Sequence, residues 1–232
     1  MAFCKDFVFI HIGKCGGTTI ISLLNQNNFN FSTVHLRRPV YLPDRKYLIA
    51  LRNPVERFIS AFYWRKYLLQ SGEGWQSRQK RLRGELRFHQ KYESIDSLCS
   101  ELYAKNGDLN LSIHRSISGG HSWKYSRAQK LWFKRPEHCG MGLDFYIGKF
   151  SKKYNPQNIL GIICLETLHH DLNKMFGINC NVHKKNNKAN KSWVSKESKL
   201  ILKKYLYKDY EVIERLNLSN LLSENQYEIL SK

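Results

Sequence analysis

Short apolar runs alternate with amphipathic stretches along this chain. Phe7–Ile12 is a continuous apolar run that ends at a glycine, which predicts a buried strand rich in extended-backbone formers. Gly16 and Gly17 make a turn, and Thr18 or Thr19 is the expected cap of a helix through Leu24. Phe31–Leu36 is a second short strand, and Pro39 and Pro43 punctuate the loop after it. Tyr47–Leu51 is a third strand. It runs into Arg52-Asn53-Pro54-Val55-Glu56, where Asn53 suits an N-cap, Pro54 the first helical position and Glu56 the third position of a capping box. In the helix that follows, Val55, Phe58, Ile59, Phe62 and Tyr63 share one face, and Asn53, Glu56, Arg57 and Ser60 share the other.

The pattern then weakens. Gln70–Gln90 is polar and basic and reads as loop or exposed helix, and residues 91–144 read as irregular. Within them Ile117–Trp123 marks a turn and Ser126–Phe133 a helix. Periodicity returns with a strand at Asn158–Leu165, a helix at Glu166–Phe176 stopped by Gly177, and a long helix at Ser195–Leu216 capped by Ser195. A basic loop, His183–Trp193, separates the last two. Strands alternating with helices predict an α/β fold with a mainly parallel sheet flanked by helices.

Its 232 residues suit one domain, residues 1–232, with 65–144 as an insertion that would hold an acceptor. Thirty-eight Lys and Arg against 19 Asp and Glu give a formal charge of +19, which predicts an anionic partner. No apolar run reaches the roughly 18 residues that span a membrane. The first residues do not resemble a signal peptide, and none of the six cysteines is spaced as CxxC, so a reducing cytoplasm is expected and a zinc site is not.

The candidate chemistry begins at Gly13-Lys14-Cys15-Gly16-Gly17-Thr18-Thr19. A glycine turn between strand and helix can bring backbone N–H groups and the positive end of the helix dipole onto an anion. Lys14 adds a cation and Thr18 and Thr19 add hydroxyls, which suits a phosphate or sulfate ester. The ATPase order, with lysine after the glycines, is absent, and no acidic partner for Mg²⁺ stands out. Arg52 ends a strand, so it falls with Lys14 at the sheet edge where ligands of open α/β folds gather. Ser60 lies two turns along the polar helix face and could join Arg52 in holding a second phosphate.

These two stretches, FIHIGKCGGTT and LRNPVERFISAFYW, resemble the 5′-phosphosulfate loop and the 3′-phosphate motif of sulfotransferases. The likeness is strongest to the carbohydrate branch that includes heparan sulfate 6-O-sulfotransferases and small bacterial enzymes. It covers Phe7–Trp64, and more weakly Asn158–Ile213; Cys15 stands where the family often has Thr. The resemblance implies a P-loop-like three-layer α/β fold, and transfer of a sulfuryl group from 3′-phosphoadenosine 5′-phosphosulfate (PAPS) to a hydroxyl, expected on a carbohydrate, without a metal. It implies that Lys14 and the Cys15–Thr19 loop bind the 5′ end, that Lys14 is catalytic, and that Arg52 and Ser60 bind the 3′-phosphate. His35, after the second strand, is the implied base, with His121 and His114 in reserve and His11 structural. His169 and His170 lack a third ligand and are not read as a metal site. Lys184, Lys185, Lys188 and Lys191 suit either a flap over the donor or a solvated loop, and Arg37, Arg38 and the Arg78–Arg87 cluster suit either an acidic glycan or solvent. Rival classes are a non-enzymatic nucleic-acid or polyanion binder and a small-molecule kinase; the specific placing of Lys14, Arg52 and Ser60 argues against nucleic acid as the partner.

Overall fold

Four apolar runs form one sheet in the computed structural model, which describes residues 6–71, 83–118, 138–179 and 193–232. The strands are β1 (Asp6–His11), β2 (Asn30–His35), β3 (Tyr47–Leu51) and β4 (Ile159–Cys164), in the order β2-β1-β3-β4. All pairings are parallel. All five residues of β3 are buried, as its unbroken apolar run requires, whereas the edge strand β2 is partly exposed. The helices are α1 (Gly17–Gln26), α2 (Pro54–Ser71), α3 (Arg83–Lys91), α4 (Ile95–Leu102), α5 (Leu111–Ser118), α6 (Leu168–Phe176), α7 (Lys196–Tyr205), α8 (Tyr207–Leu218) and α9 (Glu224–Ser231). The sheet is flanked by helices, and the chain has the expected three-layer α/β architecture.

The described residues of Met1–Arg57, Gly142–Asn186 and Leu206–Lys232 form one compact unit, which carries the sheet. Those of Phe58–Met141 and Asn187–Tyr205 form a second, into which most of the expected insertion falls. In the second unit α4 packs on α7, with Leu98, Leu102 and Leu202 buried, and Asp96 Oδ1 accepts from both the N–H and the hydroxyl of Ser195. Arg65 and Glu85 form a buried two-point ion pair at 2.7 and 2.6 Å.

Strand order positions the site in the first unit. The chain leaves β1 through α1 to β2 on one side, then returns to β3 on the other. The order therefore reverses between β1 and β3, and ligands of open α/β sheets bind at the carboxyl ends flanking such a point. His11 pairs with His35, and Leu51 with Cys164, so these four residues end their strands at one edge.

Several expectations are corrected. The described residues of 91–144 include two regular helices, α4 and α5; α4 is announced by a Ser94–Ser97 capping box. The expected helix Ser195–Leu216 is two helices broken at buried Leu206 (φ −90°, ψ 20°), with no Pro or Gly marking the break. Ser195 does cap the first, its hydroxyl accepting from the Ser198 N–H. Leu165–Thr167 is a 3₁₀ turn ahead of α6, which Gly177 ends at φ 67°. The polar face of α2 is buried: Arg57 is 0% exposed, Ser60 5% and Asn53 7%. Burial there is compatible with charge because buried Asp209, on α8, interacts electrostatically with Arg57. The expected helix Ser126–Phe133, His121 and the Lys184–Lys191 loop lie outside the described residues.

Candidate functional site

The turn after β1 is built on two left-handed residues, Lys14 at φ 71° and Gly16 at φ 76°. Gly16, and neither threonine, is the N-cap of α1; its carbonyl accepts from the Thr19 and Ile20 N–H groups at 3.0 and 3.1 Å. A glycine takes this conformation without the Cβ cost that a threonine would meet, and a Cβ here would also lie 2.6 Å from Leu165 Cδ1. Gly17, Thr18 and Thr19 thus stand in the first helical turn, at the positive end of the dipole, with the Thr19 amide already given to Gly16. Thr18 is exposed and Thr19 half-buried. Lys14 is half-buried.

Cys15 is fully buried; its N–H donates to Ile12 O at 3.3 Å, its thiol to Gly13 O at 3.9 Å, and burial pushes the thiol up to about 12. Its side chain belongs to the core, which leaves its backbone facing the turn as the part that could meet a ligand.

His11 and His35 stack with ring centroids 4.0 Å apart and 17° between planes. His35 Nδ1 is 2.9 Å from the His11 carbonyl oxygen. A carbonyl only accepts, so Nδ1 carries the proton and the neutral ring has its lone pair on Nε2. A Cβ at Gly17 would fall 1.9 Å from His11 Cδ2, so the His11 ring packs against the start of α1 as well as against His35. Burial, and secondarily the charge of His35, lowers His11 to about 4, so it is neutral at pH 7.

Arg52 follows β3 directly. Its Nη1 donates to Lys14 O at 3.4 Å, which joins the two expected motifs at one sheet edge. Its Nε is buried, makes no hydrogen bond, and lies 3.8 Å from Glu166 Oε1. Asn53 fixes this corner. Its Oδ1 accepts from the Val55 and Glu56 N–H groups at 3.0 and 3.1 Å, while its amide nitrogen donates to Ile229 O and Leu230 O, both at 3.3 Å. Asn53 is thus the expected cap of α2 and also a donor to the end of α9. The N–H of Asn53, which a capping box would give to Glu56, donates to Glu166 Oε1 at 3.3 Å.

Sequence reasoning missed Glu166. It lies two residues past the end of β4, where Arg52 lies one past β3, and the same strand-end rule could have singled it out. Ser60 is buried on α2 within the second unit. His114, the reserve base, also lies in the second unit, its Nδ1 3.1 Å from Tyr205 Oη. His169 and His170 are exposed on α6, and among the described residues no group of three or more His, Cys, Asp or Glu side chains is placed to hold a metal ion.

Lys14, Arg52, His11 and His35 are therefore gathered at the carboxyl edge of β1, β2 and β3. The arrangement can hold an oxyanion between a cation, a guanidinium and a helix N-terminus, with two imidazoles at the same sheet edge. Compared with known protein families, with characterised proteins and with solved structures, the chain matches none.

Proposed function

We propose that this protein is a sulfotransferase that uses PAPS to sulfate a hydroxyl, on a carbohydrate. One observation carries the reading: Arg52, with a buried Nε that lacks an acceptor, reaches the backbone of Lys14 in the anion-binding turn. A buried guanidinium N–H without a partner is costly, and a ligand phosphate would supply the missing acceptor. PAPS supplies an activated sulfuryl group, whose bond to the phosphate oxygen breaks as one to the acceptor oxygen forms.

The chain's own residues have three tasks. Lys14 and the first amides of α1 hold the negatively charged end of the donor, and Lys14 offsets charge that grows during transfer. Arg52 takes the 3′-phosphate. His35 Nε2 accepts the acceptor's proton, since its Nδ1 is committed to the His11 carbonyl. Alignment and electrostatics dominate such transfers, as they do for phosphoryl groups.

The charge of +19 favours an anionic acceptor. Cys15, Cys99 and Cys164 are free and buried, which agrees with a cytoplasmic setting. No described helix is long and apolar enough to cross a membrane. The test is transfer of label from PAPS to a panel of glycans, lipids and small alcohols. Transfer to a glycan supports the reading in full, and absence of transfer to every acceptor, by protein that binds PAPS, would remove the enzymatic part.

A further inference from the structure

We propose that Glu166 is an internal counter-anion of Arg52, which a ligand phosphate must displace, so that Glu166 weakens anion binding and favours release. The idea rests on the reading of Arg52 as the phosphate-binding residue.

Three contacts define the carboxylate. Oε1 lies 3.8 Å from Arg52 Nε and accepts the Asn53 N–H at 3.3 Å; Oε2 accepts the Cys164 thiol at 3.0 Å. The first two partners are a guanidinium and the N-cap amide at the start of α2, which are the donors an incoming oxyanion seeks. Glu166 therefore stands where part of a ligand's charge would go. Its hold is loose: 3.8 Å is too long for a hydrogen bond, and Arg52 Nε is left without one. A tight, two-point carboxylate clamp of the kind Arg65 makes with Glu85 would immobilise the guanidinium. The long contact to Glu166 instead neutralises Arg52 while leaving it able to exchange partners.

The side chains differ in exposure in the sense this requires. Arg52 keeps 13% of its side-chain surface and Glu166 keeps 26%, so the carboxylate is the partner with more room to swing toward solvent. A phosphate monoester carries roughly −1.5 to −2 charges at pH 7 and out-competes a single carboxylate for the guanidinium. A group with one negative charge competes less well. Glu166 thereby biases the Arg52 end toward a phosphate over a sulfate. It acts through Arg52 and is a positioning residue.

The experiment is calorimetric titration of wild type, Glu166→Gln, Arg52→Ala and the double variant with adenosine 3′,5′-bisphosphate (PAP) and with adenosine 5′-phosphate. Glutamine keeps an acceptor for the Asn53 N–H and removes only the charge. The expected result is PAP binding roughly tenfold tighter in Glu166→Gln, from loss of a neighbouring charge, with adenosine 5′-phosphate unchanged and no gain in the Arg52→Ala background. A merely structural role would give losses for both ligands. Weaker or unchanged PAP binding in Glu166→Gln, or an equal gain without Arg52, would overturn the proposal. If wild type binds neither nucleotide, the sulfotransferase reading fails, and inorganic pyrophosphate then decides for Glu166: tighter binding in Glu166→Gln that disappears in the double variant supports it, and no gain overturns it. Glu166→Ala, read in the same titrations, covers any folding defect of the glutamine variant.

Discussion

The imidazoles of His11 and His35 stack 4.0 Å apart at the ends of two paired strands, and the His11 carbonyl fixes the tautomer of His35. The His11 backbone thereby orients the His35 ring, while the His11 ring itself packs close to Gly17. If His35 is the base, His35→Ala should leave PAP affinity nearly intact and reduce transfer by roughly 10²–10⁴-fold, the usual contribution of positioned acid–base catalysis. Single-turnover transfer from PAPS measures this. Wild-type rates in the variant would place the base elsewhere, and His114 would be tested next.

The contact between His11 and Gly17 gives a stability prediction. Gly17→Ala puts a methyl group into the imidazole and should destabilise the fold by roughly 1–3 kcal/mol, the usual effect of overpacking. His11→Ala in the same chain should recover part of that loss, because it removes the obstacle. Urea unfolding of the two single variants and the double reports the coupling; additive losses would show that the ring is not what Gly17 accommodates.

Acid should destabilise the protein in a defined window. Burial lowers His11 to about 4 and His89 to about 3, from an ordinary 6.5. The unfolded chain takes up these protons first, so each group contributes stability that is fully present above about pH 6.5 and is lost as pH falls through its folded value. The loss is on the order of 3 kcal/mol per group. His89 has a further reason to resist charging, since both ring nitrogens are buried without hydrogen bonds and Arg65 and Lys66 repel the imidazolium. Urea midpoints between pH 7.5 and 3.5 should fall in wild type and fall less in His11→Asn and His89→Leu. Parallel curves in all three would contradict the assignment.

Much of the sheet was legible because its strands are short apolar runs closed by polar residues. Tyr47–Leu51 is such a run and matches residue for residue. Asn53 was legible as a cap because Pro54 follows it. What failed to show depended on distant partners. The polar face of α2 looks solvent-facing until Asp209, more than 150 residues on, supplies the charge that accompanies Arg57 into the interior. Cys15 stands among ligand-type residues, yet its side chain turns inward because Lys14 and Gly16 on either side are left-handed. The break at Leu206 has no local signal. Helix α9 did have one, a Ser223–Gln226 capping box, but its place is set by Gln226, whose amide donates to Ile162 O and Asp171 Oδ2.

Lys14 should matter more for turnover than for affinity. Its place at the start of the anion loop lets it meet charge that develops only during transfer. Lys14→Ala should lower the transfer rate roughly 10²–10³-fold, the scale seen when one stabilising donor is removed. Its PAP affinity should fall much less. Near-normal turnover by folded variant would remove Lys14 from the chemistry.

Arg52 joins the two motifs, and the central claim is that this corner binds a 3′-phosphorylated adenosine nucleotide. Thermal unfolding with PAP and with ATP–Mg²⁺, each at matched concentration, tests it most directly. A ligand at about 100 times its Kd stabilises by about 2.7 kcal/mol. The account predicts that PAP raises the unfolding temperature clearly in wild type and much less in Arg52→Ala, while ATP–Mg²⁺ has a weak effect in both. Stabilisation by ATP–Mg²⁺ exceeding that by PAP would contradict it and favour a kinase.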